Sequence, residues 1–171
     1  MKVSLKINGP LLDEIRRDLA RPHGFAHERV GFLTAGAVGV GTDLALLVRD
    51  YQPVADDDYE FDPRVGAKIG SNAMRKAVQS AYRPAAALLH VHTHGGRGQP
   101  AFSRVDLESA MEFVPGFFET TPRMPHGLLV LSDDSARGLL WVDSKSAPLD
   151  VALFLRNDAP LKRTWGNHEL A

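Results

Sequence analysis

Apolar and polar positions divide the chain into short alternating runs and a few helical ones. Residues 3–7 (VSLKI) alternate like a half-buried strand and stop at the breakers Asn8, Gly9 and Pro10. Residues 10–20 then place apolar side chains at 11, 12, 15 and 19, the spacing of one helix face, with Pro10 suited to a first turn. Residues 21–28 read as a loop. The apolar runs 29–40 and 43–54, separated by Gly41 and Thr42, predict a β-hairpin. An acidic loop over 55–63 leads to a helix within 64–83, clearest from about residue 67 onward. Residues 84–94 form a short apolar strand, 103–114 a helix, and the proline-rich stretch 115–127 a loop. Strands over 128–132 and 136–144 flank a turn at Asp133–Ser135, and 149–156 supplies one more. The tail beyond 156 carries no clear pattern.

Strands and helices alternate irregularly, with hairpins and without repeats or linkers. This predicts one domain over 1–171 of mixed α/β (α+β) class, with a single mixed β-sheet flanked by helices rather than a doubly wound parallel sheet. A formal net charge of −1 disfavours a nucleic-acid binder, and no apolar run reaches the length of a membrane span. The N-terminus lacks the apolar segment of a secretory signal, so a cytoplasmic protein is expected. There are no cysteines, which removes disulfides, thiolate ligands and cysteine nucleophiles together. Any metal site must use histidine and carboxylate. The glycine spacings that cradle phosphates and the G-x-S-x-G elbow of serine hydrolases are both missing.

Three of the seven histidines, His90, His92 and His94, occupy alternate positions at the end of an apolar strand. On a strand, residues i and i+2 share a face roughly 6–7 Å apart, close enough for two imidazoles to converge on one ion. His92 and His94 therefore make half of a site, with His90 or a carboxylate from the next element as the third ligand. A histidine in an apolar strand is otherwise a hydrogen-bonded core residue. Ser103 and Asp106, three residues apart at a helix start, read locally as a capping box, and Glu28 reads locally as a solvated strand end.

Taken together, Glu28 in "ERVGFLTAG", the H-x-H of "HVHTH" and the S-x-x-D of Ser103 and Asp106 resemble the JAMM (MPN-plus, or JAB) zinc metalloproteases. The motifs span residues 28 to 106 in the family's order. Two departures stand out. Gly95 replaces the usual proline after the second histidine, and the eight-residue loop to Ser103 is longer than usual by one residue. The resemblance implies a JAB/MPN (cytidine-deaminase-like) architecture. It also implies one zinc ion per chain held by His92, His94 and Asp106, Glu28 as general base, and Ser103 as a donor to the oxyanion. His90 is left to the surroundings of the site or to the core.

The activity so implied is that of an isopeptidase or peptidase releasing a ubiquitin-like protein, or trimming its tail, beside E1-like and E2-like enzymes. The setting would be a bacterial conjugation pathway, antiviral defence included. A tail could add to a strand edge near the zinc, with the loops 52–66 and 115–127 as specificity elements. Alternatives are processing of a sulfur carrier, a small-molecule amide hydrolase, and a non-catalytic MPN scaffold that binds partner proteins.

Overall fold

The computed structural model describes residues 1–158; the final thirteen residues of the expected 1–171 domain lie outside the described residues. In chain order it contains β1 (Val3–Asn8), α1 (Gly9–Leu19), β2 (Val30–Val40), β3 (Asp43–Pro53), α2 (Ser71–Tyr82), β4 (Ala87–Thr93), α3 (Arg104–Thr120), β5 (His126–Leu131), β6 (Ala136–Trp141) and β7 (Leu149–Asn157). The strands close on themselves in the order β1-β3-β2-β4-β5-β6-β7, with β1 parallel to both β3 and β7. The single open sheet flanked by helices, of JAB/MPN (cytidine-deaminase-like) architecture, is therefore corrected to a closed seven-stranded mixed barrel carrying three α-helices. The physical reason lies in β1. Its backbone is hydrogen-bonded along both edges, so the first and last strands meet and no strand is left at an edge.

Alternation along the strands sorts two cores. Leu5, Leu33, Leu46, Leu89, Leu129 and Leu140 come from six strands and fill the barrel's inside, where α1 adds Leu11, Leu12, Ile15 and Leu19. The opposite face of β2, β4 and β5 presents Val30, Phe32, Leu88 and Leu128 to α2 and α3. The strand β4 is thus covered on both sides, which is why it reads as an unbroken apolar run. His90 and His92 share the parity of Leu88 and so face the two outer helices rather than the barrel interior.

Element ends also moved. Helix α3 runs through Pro115 to Thr120, where a proline-rich loop from 115 is predicted. Ala110, Val114, Phe117 and Phe118 extend one buried stripe past the proline, and this burial outweighs the lost backbone hydrogen bond. Helix α2 starts at Ser71, later than expected. The preceding residues stay extended, with Ile69 bridging Tyr59 and the Gly70 N–H donating to the Asp58 carbonyl. No described helix is long and apolar enough to cross a membrane.

Candidate metal centre

Pairing registers explain how distant residues meet. Strands β2 and β4 are antiparallel with Val30 opposite His92, so continuing the register past the end of β2 sets Glu28 against His94. Asp106 arrives from the first turn of α3. There Ser103 caps the helix by accepting from the Asp106 N–H at 3.1 Å, and the Asp106 carboxylate accepts from the Ser103 N–H at 2.7 Å. This capping box fixes the carboxylate on a rigid element. It also leaves the Ser103 hydroxyl proton free, because an oxygen that accepts one N–H keeps its own donor. Ser103 itself is exposed at the mouth of the site.

The two Nε2 atoms of His92 and His94 lie 3.1 Å apart, and each faces an oxygen of Asp106, at 3.1 and 3.4 Å. Donors arranged tetrahedrally at 2.0–2.1 Å from one ion are spaced by about 3.3 Å, so these separations suit a shared cation. Protons alone satisfy the trio poorly. Burial works against ionisation of Asp106, but the facing His92 imidazole and the Ser103 backbone N–H prevail and hold its pKa down to about 2. The carboxylate can therefore only accept. If both rings donate to it, their N–H groups oppose each other; if one ring donates to the other, a lone pair faces a carboxylate oxygen. One cation among the three groups removes the conflict. On the far side of the His92 ring, Nδ1 is buried without a hydrogen-bond partner among the described residues. A metal-bound imidazole usually hands that N–H to an outer acceptor, so here the orientation of the ring rests on what its Nε2 meets.

Glu28 also belongs to this constellation, with a carboxylate oxygen and the two histidine nitrogens all within 4.8 Å of one another. Asp106, facing both imidazoles, suits a ligand, and Glu28 stands near enough to the same nitrogens to ligate the ion or to hold a water beside it. Gly66, which the sequence reading did not single out, positions it. The Gly66 carbonyl accepts from the His27 and Glu28 N–H groups at 2.8 and 3.1 Å, and a Cβ at Gly66 would sit 2.6 Å from the Glu28 carboxyl carbon. No spacing rule flags such a residue; only the folded approach of two loops does. Behind Glu28, the buried Arg29 donates to the Arg21 and Pro22 carbonyls and to Asp56, which ties the loop before β2 in place.

The centre opens into a cavity of about 690 Å³ whose walls include Glu28, His92, His94, Ser103 and Asp106. The segment from Asp62 to Ile69 lines one side, while none of residues 115–127 contributes, so of the two loops expected to flank the site only the first does so. His90 lies one pleat deeper in the same wall, packed against Phe32 and Phe113 with ring centroids 5.5 and 5.1 Å away. Burial, assisted by neighbouring His92, pushes its pKa down to about 3, so it is a neutral imidazole.

No family model and no curated protein matches this chain. Among solved structures, the Trichoplax adhaerens STIL N-terminal domain is similar at 9% identity with a TM-score of 0.43. The alignment covers 81% of this chain and 41% of that one, so the chain spans about two fifths of its neighbour's length. At that level the likeness says nothing of function.

Proposed function

We propose that this protein is a zinc-dependent amide hydrolase with a JAMM-type ligand set on a closed barrel. The observation that carries the reading is the convergence of His92, His94 and Asp106 on one point that protons alone satisfy poorly. When bound, zinc supplies Lewis acidity to a carbonyl and brings the pKa of a coordinated water towards about 7. Glu28 takes the proton of the attacking water and returns it to the leaving amine nitrogen. Ser103 donates its hydroxyl proton to the developing oxyanion, its other side already engaged by the Asp106 N–H. His94, half-open to solvent, lies on the side from which substrate enters.

On the resemblance, the bond cleaved is an isopeptide or peptide bond at the tail of a ubiquitin-like protein, in the cytoplasm, with E1-like and E2-like enzymes as pathway partners. Every barrel strand is paired on both sides, so a tail would lie along the Asp62–Ile69 segment rather than extend the barrel. The concave shape of the site, a cavity of about 690 Å³, favours a second reading, hydrolysis of a smaller amide. The test is elemental analysis and turnover of protein purified without chelator. About one zinc per chain, lost in Asp106→Ala and kept in the inactive Glu28→Gln, is expected. Wild-type protein that neither carries nor takes up zinc would refute the proposal.

A further inference from the structure

The cavity extends past the metal centre, and its deeper part is chemically distinct. Besides Glu28, Asp106 and the half-buried Asp62, its charged wall residues Arg64, Lys68 and Glu112 are exposed, and the two cations are already paired with Asp62 and Glu60. Further in, Val30 and Leu128 are buried, and Phe113 closes the side towards α3. Into this apolar surface the fold sets one polar ring. His90 lines the cavity and no hydrogen bond from a described residue engages it; its Nδ1 is shut away from the cavity, so Nε2 is the ring atom that a bound molecule can meet. An imidazole always carries at least one N–H donor, and a ring nitrogen left unmet inside a protein costs more than a surface group would lose. A leucine would fill this place in the sheet at no such cost.

We propose that the deep end of the cavity is a substrate side-chain subsite for an uncharged, aromatic-sized group bearing one hydrogen-bonding atom, a phenol being the model, with His90 as the residue that reads that atom. Shape follows from the walls: Phe113 and Leu128 offer flat and branched apolar contacts at the ring's flanks. A carboxylate is disfavoured because the walls there are apolar and the cavity's two cations, Arg64 and Lys68, are exposed and already paired. The scissile amide of such a substrate lies towards Glu28 and Ser103, since His90 and His92 are successive residues on one face of β4. In its catalytic part the proposal rests on the amide-hydrolase reading; in its binding part it does not.

The two parts are separable. Calorimetry on the full-length protein with chelator present would compare 3-phenylpropionamide, its 4-hydroxyphenyl analogue and its 4-carboxyphenyl analogue. The phenol is expected to bind about tenfold more tightly than the phenyl compound, the increment of one net hydrogen bond, and the carboxylate not to bind. In His90→Leu the preference should collapse to under about twofold with phenyl binding intact, and His90→Asn should restore part of it. If His90→Leu fails to fold, ring-nitrogen NMR of the wild type replaces it: the phenol, and not the phenyl compound, should shift the His90 resonances. Equal affinity for phenyl and phenol, preferred binding of the carboxylate, no binding by any of the three, or unmoved His90 resonances would overturn the subsite. Phenol selectivity without hydrolysis of phenol-bearing amides by zinc-loaded protein would uphold the subsite and count against the hydrolase. Hydrolysis without selectivity would do the reverse.

Discussion

Gly66→Ala tests the placement of Glu28 without touching any candidate ligand. The backbone at Gly66 is not in the left-handed region, so alanine is allowed there, and the Gly66 carbonyl keeps its bonds from His27 and Glu28. The new methyl, however, would stand 2.6 Å from the Glu28 carboxyl carbon, 2.7 Å from Oε2 and 3.0 Å from Oε1. Ordinary contact begins at 3.4 Å, so the carboxylate must retreat by about 0.8 Å. Because it is the end of a flexible side chain, the retreat costs only an off-rotamer torsion, about 0.5–1.5 kcal/mol. A general base displaced by nearly an ångström loses about 10²-fold in turnover. The expected result is unchanged zinc content, a melting temperature within a few degrees of wild type, and kcat lower by about two orders of magnitude, read on an amide substrate with zinc-loaded protein. Adding Glu28→Asp, which withdraws the carboxylate by one methylene, should cost less on the Gly66→Ala background than on wild type. Wild-type kcat in Gly66→Ala would sink both the role of Glu28 and the positioning assigned to Gly66, and loss of zinc would make Glu28 a ligand instead.

Ser103→Ala removes a helix cap and an oxyanion donor together. Stability should fall by about 1 kcal/mol while kcat falls by about 10²–10³-fold, and thermal melts beside kinetics separate the two effects. Gly116→Ala, on the exposed side of α3 with open space around it, should raise stability by about 1 kcal/mol in chemical unfolding and leave turnover unchanged. His126 is wholly buried, accepts from the Leu88 N–H at 3.1 Å and contacts Thr121 through Nε2, so His126→Leu should cost about 1–3 kcal/mol by stranding that N–H. Burial lowers the pKa of His126 below its ordinary 6.5, meaning the native state favours the neutral ring. Its contribution is then fully present above pH 6.5 and declines as pH falls towards the lowered value, and melts of wild type and His126→Leu should converge on acidification.

Much of the site was legible because its residues are marked by local pattern. The alternation of β4 puts His90, His92 and the outer core on one face, and the S-x-x-D spacing is a capping box whatever else it does. What local pattern cannot carry is strand order. Nothing in VSLKI or LDVALFLRN says that the two strands pair, yet that pairing turns an open sheet into a barrel. Pro115 misled for a related reason: a breaker acts locally, whereas the burial of Phe117 and Phe118 that overrides it is a tertiary fact. Gly66 was invisible because its importance is the absence of a side chain next to a carboxylate 38 positions away in the chain.

The seam between β1 and β7 also sets a timetable for folding. Its partners, from Val3 with Val151 to Asn8 with Asn157, are separated by nearly the whole described chain. During synthesis every residue of the candidate centre emerges before the strand that completes the barrel, and until then β1 and β6 each present an unsatisfied backbone edge. Closure must overcome the entropy of a very long loop, so folding should be slow and chain completion should govern it. A nascent chain stopped before residue 149 is consequently an aggregation hazard rather than a smaller domain, and the cell must tolerate or chaperone that interval each time the protein is made.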